Sequence, residues 1–134
     1  MMSTSCMQEL RDSWFPHVTD SGLDRVIELL EKGSPLLIHG AFTRALPMGC
    51  LATHIAWHHP STCQWTMEAG IMWLSRVAHL NPATSQIIRA WDNSGLHDWE
   101  LRNDLLTAFR EERERRQEFP EEQLSCQEDE LVFA

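Results

Sequence analysis

Apolar residues recur along most of this chain at the spacing of one helix face. Between positions 20 and 33 the stripe consists of Leu23, Val26, Ile27 and Leu30. These positions follow the i, i+3, i+4, i+7 pattern of an amphipathic helix. Asp20 or Ser21 can cap that helix, and Gly33 followed by Pro35 ends it. The pattern predicts an all-α domain of about five helices, arranged as stacked antiparallel hairpins.

Two more predicted helices lie in the middle of the chain. The second helix runs from about Pro47, acceptable in a first turn, to about His59, where Pro60 disfavours helical geometry. The stripe of the third helix consists of Met67, Gly70, Ile71, Leu74, Val77 and Ala78. This spacing predicts that the whole stripe faces the core. The short apolar run 36–38 fits a strand or a helix equally well.

The last two predicted helices have recognisable starts. Asn81 and Pro82 form an N-cap followed by proline at the first helical position, which opens a fourth helix that ends near Gly95. Its inward residues are Ile87, Ile88 and Trp91. Asp98 caps a fifth helix. The apolar line of that helix consists of Leu101, Leu105 and Phe109.

The chain becomes strongly charged after the apolar part of the fifth helix. Its sequence REERERRQE pairs Glu111 with Arg115 and Glu112 with Arg116 at i, i+4, which is typical of a solvated helical arm. Residues 118–134 then hold six acidic residues and no basic one. We expect one helical domain over residues 1–117 and an acidic, solvated and flexible tail over 118–134. The apolar tip 131–133 of that tail is a candidate docking element.

An internal similarity at an offset of 34 residues suggests a repeated helical hairpin. The matched positions are Ala56 with Ala90, Trp57 with Trp91, Trp65 with Trp99, Met67 with Leu101, Ile71 with Leu105 and Arg76 with Arg110. Two-helix units of this length are typical of α-repeat stacks. Only two units are visible where such stacks normally need three, so two similar hairpins formed by ordinary helix packing remain the alternative.

Charge and cysteine content limit the partners and the compartment. The chain has 11 Lys and Arg against 20 Asp and Glu, a net charge of −9, which disfavours a nucleic-acid surface. No apolar run reaches the roughly 18 residues of a membrane span, and the first 15 residues lack secretory features.

Cys6, Cys50, Cys63 and Cys126 lie far apart. They are predicted to be thiols in a reducing cytoplasm, with an isolated Cys50–Cys63 bridge as the alternative.

The densest group of potential metal ligands lies in the second predicted helix and its exit. Cys50, His54 and His58 occur at i, i+4 and i+8, and Cys63 follows the next turn. Thiolate and imidazole are the ligands that Zn²⁺ prefers. Because i to i+8 spans about 12 Å along a helix axis, only adjacent members can share one ion. The ion would then need Cys63 or an off-helix ligand such as His39, His79 or Glu68. Zinc binding is the alternative function, against simple packing and helix capping by these residues.

No complete catalytic signature is visible, so we expect neither enzymatic activity nor a required cofactor. Cys50 and His54 have the spacing of a nucleophile and a base, but no orienting group or oxyanion hole accompanies them. A lesser alternative is a DNA-binding helix-turn-helix over residues 74–95. Its second helix carries one cation, Arg89, so nucleic acid is an unexpected partner.

The leading functional hypothesis is a non-enzymatic cytoplasmic interaction module that forms a homodimer or binds another protein. The chain has six Trp and six Met, residue types that are enriched at the centres of interfaces. Trp14, Trp65 and Trp73 fall off the main apolar stripes. These three residues are the predicted contact surface.

Overall fold

A computed structural model describes residues 2–118 of the chain. Within that range the protein is helical, and its only β-type pairing consists of two isolated bridges that both involve Gly49. The α-helices are α1 (Thr4–Glu9), α2 (Asp20–Lys32), α3 (Leu51–Ala56), α4 (Ala69–Met72), α5 (Gln86–Ser94) and α6 (Trp99–Glu118). The all-α class predicted from the sequence is confirmed. The acidic tail lies outside the described residues from position 119 onward.

The N-terminal segment is helical, although no stripe predicted it. Ser3 caps α1 by accepting a hydrogen bond from the Cys6 N–H at 3.1 Å. The helix continues as a π-helical turn over Leu10–Trp14 and a 3₁₀ turn over Phe15–His17. The helix type changes twice within these 14 residues, so the buried side chains do not recur every 3.6 residues. For this reason no amphipathic stripe is visible in the sequence of this segment.

Helix α2 matches its prediction closely. Its N-cap is Thr19, one residue before the predicted cap, and the Thr19 hydroxyl accepts from the Gly22 N–H at 3.0 Å. Gly33 ends the helix in the left-handed region with φ +60°. The predicted stripe of α2 is buried, and the residues are Leu23, Val26, Ile27 and Leu30.

Helix α3 is shorter than the predicted span from Pro47 to His59. It begins at Leu51 and ends at Ala56. Pro47 is not a helical first position, since it lies in a loop that ends before α3 begins. The run 36–38 forms neither a strand nor a helix, and Leu37 makes only an isolated bridge to Gly49. The Cys50 N–H donates to the Phe42 carbonyl at 2.9 Å, so this loop sets the start of α3.

The fourth predicted helix begins later than expected. Asn81 and Pro82 lie in a turn, and α5 is capped by Ser85, whose hydroxyl accepts from the Ile88 N–H. The Glu9 carboxylate also accepts from Ser85 Oγ at 2.7 Å and from the Gln86 N–H at 2.7 Å. A carboxylate supplied by α1 therefore stabilises the positive end of α5, a tertiary contact that no local signal encodes.

Helix α6 begins as predicted, with the Asp98 carboxylate accepting from the Leu101 N–H at 3.1 Å. The predicted pairing of Glu112 with Arg116 is present at 2.7 Å. These two residues do not belong to a solvated arm, because Glu112 is 8% exposed and Arg116 is 5% exposed. Arg116 is covered by the N-terminal segment and by α2, and it donates to the Phe15 carbonyl at 2.7 Å.

The core is built around large aromatic side chains contributed by distant elements. Trp14, Trp73, Trp91 and Phe109 are fully buried. The Trp14 and Trp73 rings meet edge to face with centroids 5.2 Å apart. Each buried indole N–H has an acceptor, such as the Ile38 carbonyl 2.7 Å from Trp91 Nε1. Pairs of helices in contact include α2 with α6, α3 with α4, α2 with α3 and α1 with α5.

The positions matched by the 34-residue similarity differ in environment. Met67 is 50% exposed, whereas its matched residue Leu101 is 5% exposed. Ile71 is 42% exposed where Leu105 is fully buried. Because repeat units normally bury equivalent positions, these matches do not support an α-repeat.

Candidate functional site

The predicted zinc ligands at α3 are each engaged with a different neighbour. Cys50 is buried and its Sγ lies 3.6 Å from Thr53 Oγ1. His54 is also buried, and its Nε2 lies 2.8 Å from the Leu36 carbonyl oxygen. The His54 ring packs perpendicular to the Trp57 ring with centroids 5.0 Å apart. His54 therefore connects α3 to the segment that follows α2.

The other two predicted ligands lie beyond the end of α3. His58 is in the following turn, and its Nδ1 lies 3.2 Å from Ser21 Oγ on α2. Cys63 is exposed, with its Sγ 3.9 Å from the Pro60 carbonyl. Over residues 2–118 no group of three or more His, Cys, Asp or Glu is arranged to hold a metal ion. Zinc binding by this set stays a prediction, which elemental analysis of the purified protein tests.

The protonation states of these groups follow from burial. Burial lowers the pKa of His54, and the nearby positive charges of Arg25 and His58 lower it further, whereas hydrogen bonding to the Leu36 and Gly49 backbone partly opposes the shift. Burial, together with Arg25, also lowers the pKa of His58. Burial raises the pKa of the Cys50 thiol. A protonated thiol is a poor nucleophile, so Cys50 and His54 do not resemble an activated pair.

The three described cysteines, Cys6, Cys50 and Cys63, are free thiols. The bridge between Cys50 and Cys63, kept as an alternative, is not formed. Cys126 lies outside the described residues. The prediction of thiols therefore holds for the part of the chain that the structure describes.

The predicted contact tryptophans fall into two groups. Trp14 and Trp73 are fully buried, so they are core residues and offer no surface to a partner. Their positions off the helical stripes reflect the π-helical turns Leu10–Trp14 and Trp73–Val77, which shift the direction of side chains relative to a regular helix. Trp65 is 40% exposed and is the one of the three that lies at the surface.

Trp65 belongs to a group of exposed large apolar residues. The others in the same part of the chain are Leu46, Met67 and Ile71, with exposed fractions of 51%, 50% and 42%. Trp65, Met67 and Ile71 occur within seven residues that lead into α4. The third predicted stripe assigned Met67 and Ile71 to the core, and their exposure corrects that assignment. We call these four residues the apolar face.

The loops that carry the apolar face are held against α3. Trp57 Nε1 donates to the Thr66 carbonyl at 2.9 Å, which anchors the chain between Trp65 and Met67. A Cβ at Gly49 would lie 3.2 Å from the Trp57 ring, so the loop that carries Leu46 reaches the same indole. The two loops therefore converge on Trp57.

Helix α4 also approaches α3 closely. A Cβ at Gly70 would lie 2.3 Å from Thr53 Oγ1, a distance that only glycine permits. Ile71 follows Gly70 directly and is directed to the surface, as its exposure shows. The close approach at Gly70 therefore positions Ile71 on the apolar face.

A signal for this face was present in the sequence. Residues 45–75 contain one charged residue among Asp, Glu, Lys and Arg, which is Glu68. The chain as a whole has 31 such residues in 134, so an uncharged stretch of this length stands out. In an amphipathic helix or loop, an exposed side is normally charged. The near absence of charged residues, together with the exposed side chains of Trp65 and Met67, indicates an apolar surface that is suited to contact with another molecule.

In the structure, the second helix of the predicted helix-turn-helix begins later than the sequence suggested. The second helix of that motif is α5, which begins at Gln86, after the turn that holds Asn81 and Pro82. Its exposed residues include Gln86, Arg89 and Asn93. Arg89 remains the one cation of α5, so the predicted weakness of DNA binding is unchanged.

No protein-family model, curated protein or solved structure matches this chain. Among residues 2–118 no helix combines the length and the apolarity needed to cross a membrane.

Proposed function

We propose that this protein is a non-enzymatic interaction module that associates with a second copy of itself through the apolar face. The observation that carries the proposal is the exposure of Leu46, Trp65, Met67 and Ile71 in a stretch with one charged residue. Association removes this apolar surface from water, which is the main favourable contribution to most protein–protein contacts.

The low charge of residues 45–75 is compatible with a second copy at the apolar face. Each chain carries a net charge of −9, so two copies repel one another over most of their surface. Residues 45–75, which carry the apolar face, contain one charged residue, Glu68. In a two-fold dimer the same face meets itself, and its low charge keeps repulsion at the contact small.

Trp65 is the residue expected to contribute most to association. Tryptophan is enriched among residues whose truncation strongly weakens binding. Met67 is flexible and adapts to an irregular opposing surface, while Ile71 is held in place by α4. Because Trp65 is on a loop anchored at Thr66, it can contact a partner without rearrangement of the core.

The test compares two tryptophan variants of the full chain by sedimentation across a range of protein concentrations. Trp65→Ser removes the tryptophan of the apolar face. Trp99→Ser is the matched control, because Trp99 is 69% exposed and lies at the start of α6, not among the four residues of that face. We expect Trp65→Ser to raise the dimer dissociation constant by about 30-fold, the effect of losing about 2 kcal/mol. Trp99→Ser leaves it within a factor of three.

Salt gives a second measurement of the same proposal. Raising the ionic strength screens repulsion between the two acidic chains, so the dimer becomes tighter. A chain that stays monomeric at high micromolar concentration and at high salt contradicts self-association. Equal weakening by Trp65→Ser and Trp99→Ser contradicts the assignment of the contact to the apolar face.

A further inference from the structure

A groove of about 560 Å³ lies between the N-terminal helical segment and α6. Its apolar lining consists of Met7, Phe15, Pro16 and Ala108. Arg11, Glu111, Glu112 and Arg115 provide its polar lining. A volume of this size is within the range of pockets that hold ligands or short peptide segments.

The charges around the groove are not equivalent. Glu112 is paired with Arg115 at 2.8 Å and with Arg116 at 2.7 Å, so its negative charge is compensated. Arg11 is exposed and makes no hydrogen bond or ion pair with the described residues. The side of the groove formed by the N-terminal segment therefore presents an uncompensated positive charge. Glu111 lies on the opposite side, on α6.

The chain itself contains a segment of complementary chemistry. After Glu118 the sequence continues for 16 residues, with five acidic residues and no basic one. The acidic run 128–130 is followed directly by Leu131, Val132 and Phe133. An apolar group next to an acidic run matches an apolar groove next to an unpaired arginine.

The segment is long enough to reach the groove. Ala108 lies ten residues before Glu118 on α6, a distance of about 15 Å along the helix axis. Leu131 is thirteen residues beyond Glu118, a length of chain that can extend to about 43 Å. The length of this segment therefore exceeds the distance from Glu118 back to the groove.

We propose that residues 128–133 dock in this groove of their own chain, with Leu131 and Phe133 against Met7 and Pro16 and with the acidic run beside Arg11. The tether between Glu118 and the docked residues keeps the local concentration in the millimolar range, so a weak contact suffices. Docking covers the groove and stays independent of the apolar face, so it does not require dimerisation.

The experiment uses the full chain with a nitroxide on Cys126, which lies five residues before Leu131. Cys63→Ser removes the one exposed thiol among the described residues, where Cys6 and Cys50 are buried. Relaxation of the methionine methyl groups then reports where the nitroxide is. We expect strong broadening of the Met7 methyl signal. Met67, on the apolar face, is the internal control and remains sharp.

Charge variants distinguish docking from the mere proximity of a tethered label. Arg11→Glu is expected to reduce the relaxation enhancement at Met7 at least threefold, and Phe133→Asp is expected to do the same. Glu111→Lys is expected to increase it. Arg89→Glu, the same charge change on exposed α5, leaves it unchanged. Equal enhancement in all variants overturns the proposal.

A mixing experiment tests whether the occupant comes from the same chain. Nitroxide-labelled protein without carbon-13 is mixed with carbon-13 methyl-labelled protein that has no nitroxide. A second sample carries the nitroxide and the carbon-13 methyl labels on the same chain. Broadening of Met7 in this sample, without broadening in the mixture, supports the proposal. Broadening of Met7 in the mixture means that the segment of a second copy fills the groove, and this overturns docking within one chain.

Discussion

At the scale of single residues, Gly95 shows how one position joins two parts of the fold. Its φ of +55° and ψ of −131° are rarely adopted by residues with a side chain. A Cβ at this position would lie 2.5 Å from Nδ1 of His39. The His39 ring also packs perpendicular to the His97 ring, with centroids 5.8 Å apart. Gly95 thus permits the turn between α5 and α6 and the contact with the loop after α2.

Replacing Gly95 by alanine is expected to lower the free energy of unfolding by about 3 kcal/mol, from backbone strain and from displacement of His39. Gly40→Ala is the matched control. Gly40 also has a positive φ, +81°, but a Cβ there meets nothing within 4 Å. Its cost is therefore backbone strain alone, about 1 to 2 kcal/mol. Urea unfolding of both variants measures the difference, and equal losses would show that the His39 contact contributes nothing.

At the scale of elements, a buried ion network connects the end of α6 to the N-terminal half of the chain. Arg116 Nη1 donates to Asp20 Oδ1 at 2.9 Å, and Arg116 Nε donates to Glu112 Oε2 at 2.7 Å. The remaining nitrogen, Nη2, donates to the Phe15 carbonyl. One guanidinium therefore joins α6, α2 and the 3₁₀ turn that precedes α2.

Arg116→Met keeps much of the side-chain volume but leaves Glu112 and Asp20 without this partner. Removing one member of a buried ion pair typically costs about 3 to 5 kcal/mol. Since Asp20 is one-third exposed, we expect the lower end of that range. Arg113→Met is the control, because the Arg113–Asp24 pair is 3.7 Å apart and exposed, and such pairs contribute about 0 to 1 kcal/mol. Thermal unfolding that does not separate the two variants contradicts the structural role of Arg116.

The elements also differ in how far the sequence predicts them. Helix α2 was predicted almost to the residue, because its stripe and its terminal Gly33 are local features. Helix α3 was predicted too long, since its start depends on the hydrogen bond from Cys50 to the Phe42 carbonyl. The start of α5 was predicted too early because Glu9 on α1 stabilises the later position. Local spacing contains no information about such partners.

At the scale of the whole molecule, histidines with a lowered pKa make stability depend on pH. Burial is the main cause of the lowered pKa of His17, His54 and His58 in the folded state. The unfolded chain therefore binds more protons than the folded chain as pH falls below the ordinary histidine pKa of about 6.5. The stabilising contribution is present above pH 6.5 and is lost progressively below it.

We expect the free energy of unfolding to fall between pH 7.5 and pH 5.5. His54→Gln removes the titrating group and makes the fall smaller, although its stability at pH 7.5 is also lower because the contact with the Leu36 carbonyl changes. His97→Gln replaces an exposed histidine and serves as the control. Chemical denaturation at several pH values gives the slopes. A slope that is the same in the wild type and His54→Gln contradicts the assignment.

The candidate site was predicted only in part. Trp65 was selected from the sequence and lies at the surface, whereas Trp14 and Trp73 were selected with it and are fully buried. Met67 and Ile71 were placed in the core because their spacing fits a helical stripe, yet α4 begins after Met67 and directs Ile71 outward. A stripe shows which residues share a face but does not show which face is covered.

By itself the sequence determined the helical class, the position of α2, the cap of α6 at Asp98 and the acidic character of the chain. Each of these depends on residue type and on neighbours within one or two helical turns. The tertiary structure decided which apolar faces are buried, where α3 and α5 begin, and that Arg116 is enclosed by the N-terminal segment. It decided them because burial and hydrogen bonding join residues as distant as Phe15 and Arg116, whose contact no local pattern specifies.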